Sequence, residues 1–538
     1  MRNPESGRKS RGTRGVLLLT LSGLLVKAAG LFFKIPMNYA VGDAGMGYYN
    51  AAYSVYVLLY TLSTAGLPVA LSVMIAEMKT RGDGTGADLT YRRAMVLMLL
   101  FGCAGTGFML AGAGPLAAAI RSPGSEAAIR AIAPALLFIC VSGAVRGWFQ
   151  GCGDMRPTAL SQLAEAGGKL VCGLAGAVYA VRRGYSTPTA AAFAAAGLSA
   201  GSLLSMAFLL AARRRSAVRG GGKGSSPPLS QTLRALARIA VPVTLSASVM
   251  SLSSAMDTVS VQRILRDLGA TAEAAAAAFG NYTSLAVPLF NLPPALVYPA
   301  AYALVPSAAS ALASGDRKEA AERIEGTMRI AAVIGIPCAC GLAALADPIL
   351  CLLFRDASAH AASPLLTILA PASFLLCLTA VTNAGLQASG GQRLTVFSMA
   401  AGAAVKWAAG EILLRRYGIV GAPLSTLLSY AAVTALNLAF LKRRTGAAFS
   451  FGTAWPAVLA GMGCASAAGW VYRSLLRGWG SDGAVLCAIA SAVPVYALLL
   501  VLAGGLSREE RDRLKRMIGP DVPRGRFGIR KTKKGIRA

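Results

Sequence analysis

Long apolar runs separated by short polar segments recur along the whole chain. The runs are about 20 residues long, which is the length that an α-helix needs to cross the hydrocarbon core of a bilayer. About 14 of them meet the hydropathy criterion for a membrane span. Apolar residues run continuously instead of alternating with polar ones, unlike the strands of an outer-membrane barrel. The pattern predicts an all-α polytopic membrane protein with about 14 transmembrane helices.

The polar segments divide this chain into predicted regions. The best linker follows Arg213 and combines three arginines, a Gly-rich piece and two prolines. An even number of crossings places both termini in the cytoplasm. The regions are a cytoplasmic N-terminus (1–14), an N-lobe of six helices (15–212), the cytoplasmic linker (213–232), a C-lobe of six helices (233–441), two further helices (453–503) and a basic cytoplasmic tail (507–538).

One segment of the chain occurs twice at a constant offset and without a gap. Each copy is an apolar run, a short turn with Gly and Arg, and a second apolar run that holds one lysine. The equivalent pairs include Gln150 and Gln387, Gly153 and Gly390, Arg156 and Arg393, and Lys169 and Lys406. Such a repeat indicates a transporter built of two related halves. The alternative is coincidence in a chain rich in Ala and Gly.

Composition supports a membrane protein, since 55% of the residues are hydrophobic and only 14% are charged. The net charge of +30 raises the question of nucleic-acid binding. With the N-terminus placed in the cytoplasm, however, most of the Lys and Arg residues fall on the cytoplasmic side, as the positive-inside rule expects. We therefore expect the basic tail to lie near anionic membrane lipids, and we expect no nucleic-acid partner.

The chain lacks the residue patterns of an enzyme or a cofactor protein. His360 is the only histidine, and the ten cysteines lie mostly inside apolar runs, so no metal site is predicted. No phosphate-binding Gly-x-x-x-x-Gly-Lys-Ser/Thr motif is present. The sequence predicts a transporter without a cofactor, and coupling to the membrane potential, Na⁺ or H⁺ stays open.

Five cations lie inside predicted spans, where each costs about 2.5–3.5 kcal/mol on insertion scales. Such residues usually face a bundle interior or water. The cations are Lys27, Lys34, Arg146, Lys169 and Lys406. We predict that they line a cavity that attracts an anion, together with Gln150 and Gln387 of the repeat. The alternative for Lys27 and Lys34 is that their ammonium groups reach the membrane surface.

Three acids accompany these cations. Glu165 precedes Lys169 by one helical turn, and Glu411 has the same spacing to Arg415, so two local ion pairs are predicted. Asp257 has no partner nearby in the sequence. It is therefore predicted either to pair with a cavity lysine or to bind a coupling cation.

Several short motifs, each weak alone, together cover roughly residues 15–440. They include Gly23-Leu-Leu-Val-Lys-Ala-Ala-Gly30 with Lys34-Ile-Pro36, Gly42-Asp-Ala-Gly-Met-Gly-Tyr48, Ala65-Gly-Leu-Pro-Val-Ala-Leu-Ser72, Arg146-Gly-Trp-Phe-Gln-Gly151, Phe279-Gly-Asn-Tyr282 and Leu304-Val-Pro-Ser307. In combination they resemble the stage V sporulation protein B family, a branch of the flippases for polysaccharide and lipid precursors.

The resemblance implies a fold and a function. The fold is that of the multidrug/oligosaccharidyl-lipid/polysaccharide exporters, with two six-helix lobes in a V and two extra helices. The function is translocation of an undecaprenyl-pyrophosphate-linked oligosaccharide or peptidoglycan precursor across the cytoplasmic membrane by alternating access. By similarity, the cations of the first helix are Lys27 and Lys34.

The chain departs from the lipid II flippase in one respect. That flippase also uses an arginine associated with its eighth helix, whereas the span 278–308 has no cation here. Arg263 and Arg266 are predicted to lie in the loop before it. A related lipid-linked glycan is therefore an equally good substrate. The alternative functions are a multidrug extruder coupled to a cation, and a scaffold of envelope or spore assembly.

Overall fold

The computed structural model describes residues 4–215, 228–354 and 356–505, with side chains from Phe33 onward except at a few positions, chiefly in α8 and α17. Every element within this part of the chain is helical. The first group, which we call the N-lobe, contains α1 (Pro4–Thr64), α2 (Leu67–Thr80), α3 (Gly84–Ala111), α4 (Ala113–Ala119), α5 (Glu126–Gly151), α6 (Arg156–Arg182) and α7 (Thr187–Arg215).

The second group, which we call the C-lobe, begins after the linker. It contains α8 (Leu229–Asp267), α9 (Ala272–Gly280), a π-helical turn (Asn281–Ala286), α10 (Val287–Phe290), α11 (Leu292–Ala313), α12 (Arg317–Ala344), α13 (Ala346–Leu353), α14 (Asp356–Ala388), α15 (Gln392–Tyr417) and α16 (Gly421–Thr445). The last helix is α17 (Phe451–Leu502). Short 3₁₀ turns lie at Pro123–Ser125 and Gly418–Val420.

Glycines with positive φ separate successive crossings of the bundle. Gly42 interrupts α1 and Gly480 interrupts α17 with nearly the same backbone angles. The turns that contain these glycines lie at two opposite ends of the bundle. The Gly42 end also contains Gly184, Gly269 and Gly418, and the opposite end, which we call the Gly153 end, also contains Gly82, Gly315, Gly390 and Gly446.

The described residues contain ten stretches that are long and apolar enough to cross a membrane. Two of these stretches, Phe33–Thr80 and Gln392–Thr445, each contain more than one helix, while α6 and α8 fall outside the set. The chain is therefore an all-α polytopic membrane protein, and the number of 14 crossings stays a prediction.

One predicted boundary needs correction. The linker predicted over 213–232 is shorter, because α7 continues to Arg215 and α8 already begins at Leu229. Helix α1 begins at Pro4, within the region 1–14 predicted as the cytoplasmic N-terminus, and the location of that region stays a prediction. The basic tail over 507–538 lies outside the described residues.

Both copies of the sequence repeat fold into a helix, a glycine turn and a second helix. The backbone N–H of Gly153 donates to the Gln150 carbonyl at 2.9 Å, and that of Gly390 donates to the Gln387 carbonyl at 3.0 Å. Both glycines are in the left-handed region, with φ of 78° and 70°. This is a glycine-terminated helix end, in which the turn satisfies carbonyls that the helix leaves free.

A second pair of equivalent turns extends the repeat beyond the part that the sequence revealed. The turn from α2 to α3 contains Gly82 and Asp83, and the turn from α11 to α12 contains Gly315 and Asp316. Both aspartates accept a hydrogen bond from a backbone N–H three residues later, at 2.7 and 2.8 Å. The first turns of α3 and α12 are therefore capped in the same way.

A line of polar contacts joins the two lobes. Along this line Thr61 bonds to Ser251 at 2.7 Å, and Thr258 donates to Ser54 at 2.8 Å. Asn50 also donates to Ser284 of the π-helical turn. Helix α1 thus lies against both α8 and the π-helical turn, and this interface positions the candidate site.

Candidate functional site

Lys169 of α6 points at the aromatic face of α1. Its ammonium nitrogen lies 4.8 Å from the ring centre of Phe33, 5.1 Å from that of Tyr53 and 5.7 Å from that of Tyr49. Aromatic faces attract a cation without neutralising its charge. Among the described side chains no carboxylate lies within ion-pair distance of Lys169.

Two of the three rings, Tyr49 and Tyr53, belong to a longer aromatic row on the second half of α1, after Gly42. Tyr49 stacks on Tyr53 at 6.1 Å, and Tyr56 stacks on Tyr60 at 5.9 Å between ring centres. Residues three and four apart lie on one face of a helix, which explains the row. Tyr53 is 36% exposed, so the row is open to the surface of the lobe at this point.

Lys34 of α1 reaches across to the C-lobe. Its Nζ donates a 2.7 Å hydrogen bond to the backbone carbonyl of Thr283. Thr283 lies in the π-helical turn, where the changed helical pitch redirects backbone carbonyls; such turns are frequent at functional sites. Lys34 and Lys169 lie within electrostatic range of one another, so two basic side chains are close together on the N-lobe side of the interface.

Arg146 is neutralised inside the N-lobe. Its guanidinium donates to the Glu165 carboxylate at 2.8 Å, to Ser161 at 3.0 Å and to Ser205 at 3.0 Å. The predicted pair of Glu165 with Lys169 is therefore wrong. A guanidinium carries several donors in one plane, which lets Arg146 join three acceptors on two other helices, whereas an ammonium does not match such a set.

Lys406, the repeat equivalent of Lys169, is also neutralised. It forms an ion pair with Asp257 of α8, and both side chains are largely buried. Tyr282 and Tyr430 lie beside the pair, and Lys406 borders a cavity of about 80 Å³ that is lined by C-lobe residues alone. Of the two predicted roles of Asp257, pairing with a lysine is the one that the structure shows.

The equivalent lysines therefore have different surroundings. Lys169 packs against α1 and Lys406 against α8, so the structure does not bring the two together. A cavity common to both stays a prediction. Lys27 lies in α1, but its side chain is outside the described residues.

Gln150 and Gln387 lie at the Gly153 end, in the last turns of α5 and α14. Gln150 is half-buried and Gln387 is exposed. Their backbone carbonyls accept the bonds that close the two equivalent turns. The structure thus shows Gln150 and Gln387 in the two turns, and their predicted place in an anion-binding cavity stays a prediction.

The prediction that Arg263 and Arg266 lie in the loop before the eighth span is wrong, because both lie in α8. Arg263 lies in α8 and pairs with Glu411 of α15. Glu411 also pairs with Arg415 at 2.8 Å, which agrees with the predicted local pair. These three residues join α8 to α15 near the Gly42 end.

Sequence reasoning missed two parts of the candidate site. Nothing in the sequence indicates the Thr283 carbonyl as an acceptor, because every residue has a backbone carbonyl whatever its side chain. The aromatic row could have been found in the sequence, since Tyr49, Tyr53, Tyr56 and Tyr60 follow helical spacing.

A model of the polysaccharide biosynthesis protein family matches residues 13–311, which is more than half of the chain. The chain belongs to this family. The match includes the N-lobe from residue 13 onward and the π-helical turn, and thus Lys34, Lys169 and Thr283.

Three proteins of Bacillus subtilis (strain 168) are similar along most of their length. The uncharacterized membrane protein YabM is 28% identical over 80% of this chain and 80% of its own. Stage V sporulation protein B is 26% identical over 93% and 97%, and the lipid II flippase MurJ is 25% identical over 81% and 84%. The resemblance that the motifs indicated is confirmed.

Solved structures show the same fold. A lipid II flippase MurJ in an inward closed conformation matches with a TM-score of 0.69 at 13% identity, over 93% of this chain and all of that chain. An inward-facing multidrug transporter of the MOP superfamily matches with a TM-score of 0.66 at 16% identity, over 80% and 98%. The relatives whose names state an activity are flippases and transporters, not enzymes. This chain is a multi-pass membrane protein.

Proposed function

We propose that this protein is a flippase for a lipid-linked anionic glycan, an undecaprenyl-pyrophosphate-linked oligosaccharide or peptidoglycan precursor. It moves the precursor across the cytoplasmic membrane by alternating access of the two lobes. The family and the relative named as a lipid II flippase support this reaction class. The proposed orientation has both termini and the Gly153 end in the cytoplasm, where the arginine-rich last turns of α7 and α16 lie.

The observation that carries the proposal is that Lys34 and Lys169 have no carboxylate partner among the described side chains. The other two described cations of the predicted set, Arg146 and Lys406, each have a carboxylate partner. A charged side chain is costly inside a membrane, and an ion pair lowers this cost because the two charges neutralise one another. An anionic ligand would account for two lysines that lack a carboxylate partner in the described part of the chain. A pyrophosphate carries the negative charge and the acceptor oxygens that fit two ammonium groups.

The Lys34 hydrogen bond links such a ligand to the motion of the lobes. A pyrophosphate bound at Lys169 competes with the Thr283 carbonyl for the Lys34 ammonium, because charged acceptors form the stronger bond. Once Lys34 turns to the ligand, the N-lobe loses a bond to the C-lobe. Substrate binding therefore favours separation of the lobes at this place, as alternating access requires.

The second candidate is a multidrug extruder coupled to Na⁺ or H⁺. Its fold is the same, since an inward-facing transporter of that kind matches this chain. An extruder of cationic compounds needs free carboxylates in the lobes. The described intramembrane acids Glu165, Asp257 and Glu411 are all engaged by cations, which favours the anionic substrate.

A flipping assay tests the proposal directly. The purified chain is placed in liposomes with an undecaprenyl-pyrophosphate-linked glycan, and the glycan that reaches the opposite leaflet is measured. Lys34→Met and Lys169→Met keep much of the side-chain volume but remove the charge, and each is expected to lower the rate about tenfold or more, which corresponds to about 1.4 kcal/mol.

Lys318→Met is the matched control, because Lys318 is an exposed lysine in the first turn of α12. It should flip at the wild-type rate. The proposal is wrong if the wild-type protein moves no pyrophosphate-linked glycan but expels cationic compounds, or if both charge-free variants flip as fast as Lys318→Met.

A further inference from the structure

The only histidine of the chain lies in a cluster of metal-ligand side chains at the Gly42 end of the C-lobe. The Nδ1 atom of His360 is 2.8 Å from a carboxylate oxygen of Asp347. One ligand atom each of Asp347, Cys351 and His360 all lie within 4.8 Å of one another. The three residues have no part in the candidate anion site.

Local structure explains how the three side chains meet. Asp347 and Cys351 are one turn apart on α13, so they project from the same face of that helix. Phe354 then has extended backbone angles, and the chain reverses so that α14 returns alongside α13. His360 is in the first turns of α14, which places its ring beside the α13 face.

We propose that Asp347, Cys351 and His360 bind a divalent transition-metal ion, with zinc as the natural choice. Thiolate, imidazole and carboxylate are the three side-chain ligands that Zn²⁺ uses. With Zn–S of about 2.3 Å and Zn–N or Zn–O of about 2.0–2.2 Å, tetrahedral ligand atoms are about 3.3–3.6 Å apart. The observed cluster reaches that spacing by small side-chain movements.

Charge and access also fit a divalent cation. A thiolate and a carboxylate together neutralise two positive charges, and the imidazole binds as a neutral ligand. The side chains of Asp347 and His360 are 46% and 62% exposed, so an ion reaches the cluster from solvent. Tyr472 of α17 lies within electrostatic range of Asp347 and Cys351.

The bound ion would join α13 to the start of α14. The α13 segment also packs against α17 through Leu345, Ile349 and Ala468. The metal would therefore fix the short helix α13 between the C-lobe and the last two crossings. This role is structural and independent of the proposed transport reaction.

The purified full-length protein in detergent is titrated with Co²⁺ as a spectroscopic probe and with Zn²⁺ as competitor. The expected result is one Co²⁺ per chain with a thiolate-to-cobalt absorption band, displaced by Zn²⁺. Cys351→Ser should remove the band, and His360→Ala should weaken Zn²⁺ binding at least about tenfold. Cys487→Ser, a cysteine elsewhere on α17, should leave both unchanged.

Thiol alkylation of the same preparations provides a readout that does not depend on colour. Zn²⁺ should slow alkylation of Cys351, and a chelator should restore it, while Cys487 reacts at one rate throughout. His360→Ala should abolish this protection. The proposal is overturned if the wild-type protein binds no stoichiometric metal, or if Cys351→Ser and His360→Ala bind Zn²⁺ as tightly as the wild-type protein does.

Discussion

Gly47 and Gly280 lie directly opposite one another where α1 of the N-lobe crosses α9 of the C-lobe. A Cβ atom on Gly280 would lie 2.9 Å from the backbone nitrogen of Gly47 and would overlap the Asp43 carbonyl oxygen. A Cβ atom on Gly47 would overlap the Ala276 carbonyl oxygen. The contact is reciprocal, and the sequence offset between its two sides is the same as that between the Gly82 and Gly315 turns. The lobes therefore meet across an approximate two-fold axis.

Alanine at either crossing glycine is expected to disfavour the described arrangement of the lobes. In Gly47→Ala and Gly280→Ala the new methyl group meets a backbone carbonyl, which cannot move aside as a flexible side chain does. Close helix approach at small residues is a common packing device in membranes, and its loss separates the helices. We expect the flipping rate to fall at least about tenfold, or about 1.4 kcal/mol, at normal expression.

Gly167→Ala is the control for this pair, because nothing lies within 4 Å of a Cβ atom built there. It should flip normally. Disulfide cross-linking between cysteines introduced at Asp43 and Ala276 should also be slower in the crossing variants than in the wild-type background. Equal cross-linking and equal flipping in all variants would contradict the tight crossing.

The Asp257–Lys406 pair should stabilise the C-lobe through mutual neutralisation. Asp257→Asn leaves a largely buried ammonium without its carboxylate, which costs about 3–5 kcal/mol for a buried pair. Adding Lys406→Met removes the stranded charge, and the double variant should recover most of the lost stability. Thermal unfolding of the single and double variants in detergent measures the recovery.

The same variants distinguish a structural pair from a coupling-ion site. If the pair is only structural, the double variant should also regain flipping. If Asp257 binds a coupling cation during the cycle, flipping should stay lost although stability returns, and any Na⁺ or H⁺ dependence of the wild-type rate should disappear.

The partner of Glu165 can be identified by double-mutant cycles. The structure pairs Glu165 with Arg146, so Glu165→Gln and Arg146→Met should show a coupling of about 0.5–3 kcal/mol in unfolding free energy. Glu165→Gln and Lys169→Met should show almost none. The opposite result would restore the local pair that helical spacing favours.

These residues also show how far sequence reasoning reaches. Hydropathy predicts the helical class, and Gly153 and Gly390 reveal the repeat because a left-handed turn requires glycine at both places. Helical spacing suggested a partner for Glu165 but does not weigh it against Arg146, which lies on another helix. Lys34 could be identified as a costly charge, whereas its acceptor on the distant π-helical turn depends on tertiary packing.

Lys27 provides the sharpest remaining test of the anion site. It precedes Lys34 by seven residues in the continuous first part of α1, which is nearly two turns and about 10 Å along the same helical face. In the proposed orientation Lys27 lies on the cytoplasmic side of Lys34. We infer that it attracts the pyrophosphate before Lys34 and Lys169 do. A lysine inside a span is costly, so its removal should not destabilise the bundle.

Lys27→Ala should therefore abolish flipping while the protein stays inserted and folded. Lys27→Arg keeps the charge but changes its shape from a compact ammonium to a planar fork, so partial activity is expected. Lys27→Glu should be worse than alanine, because it repels the anion in a region where screening is weak. The measurements are the flipping rate in liposomes and the amount of folded protein in the membrane. Should all three variants flip at the wild-type rate, Lys27 reaches the membrane surface and takes no part in the site, and anion binding then rests on Lys34 and Lys169 alone.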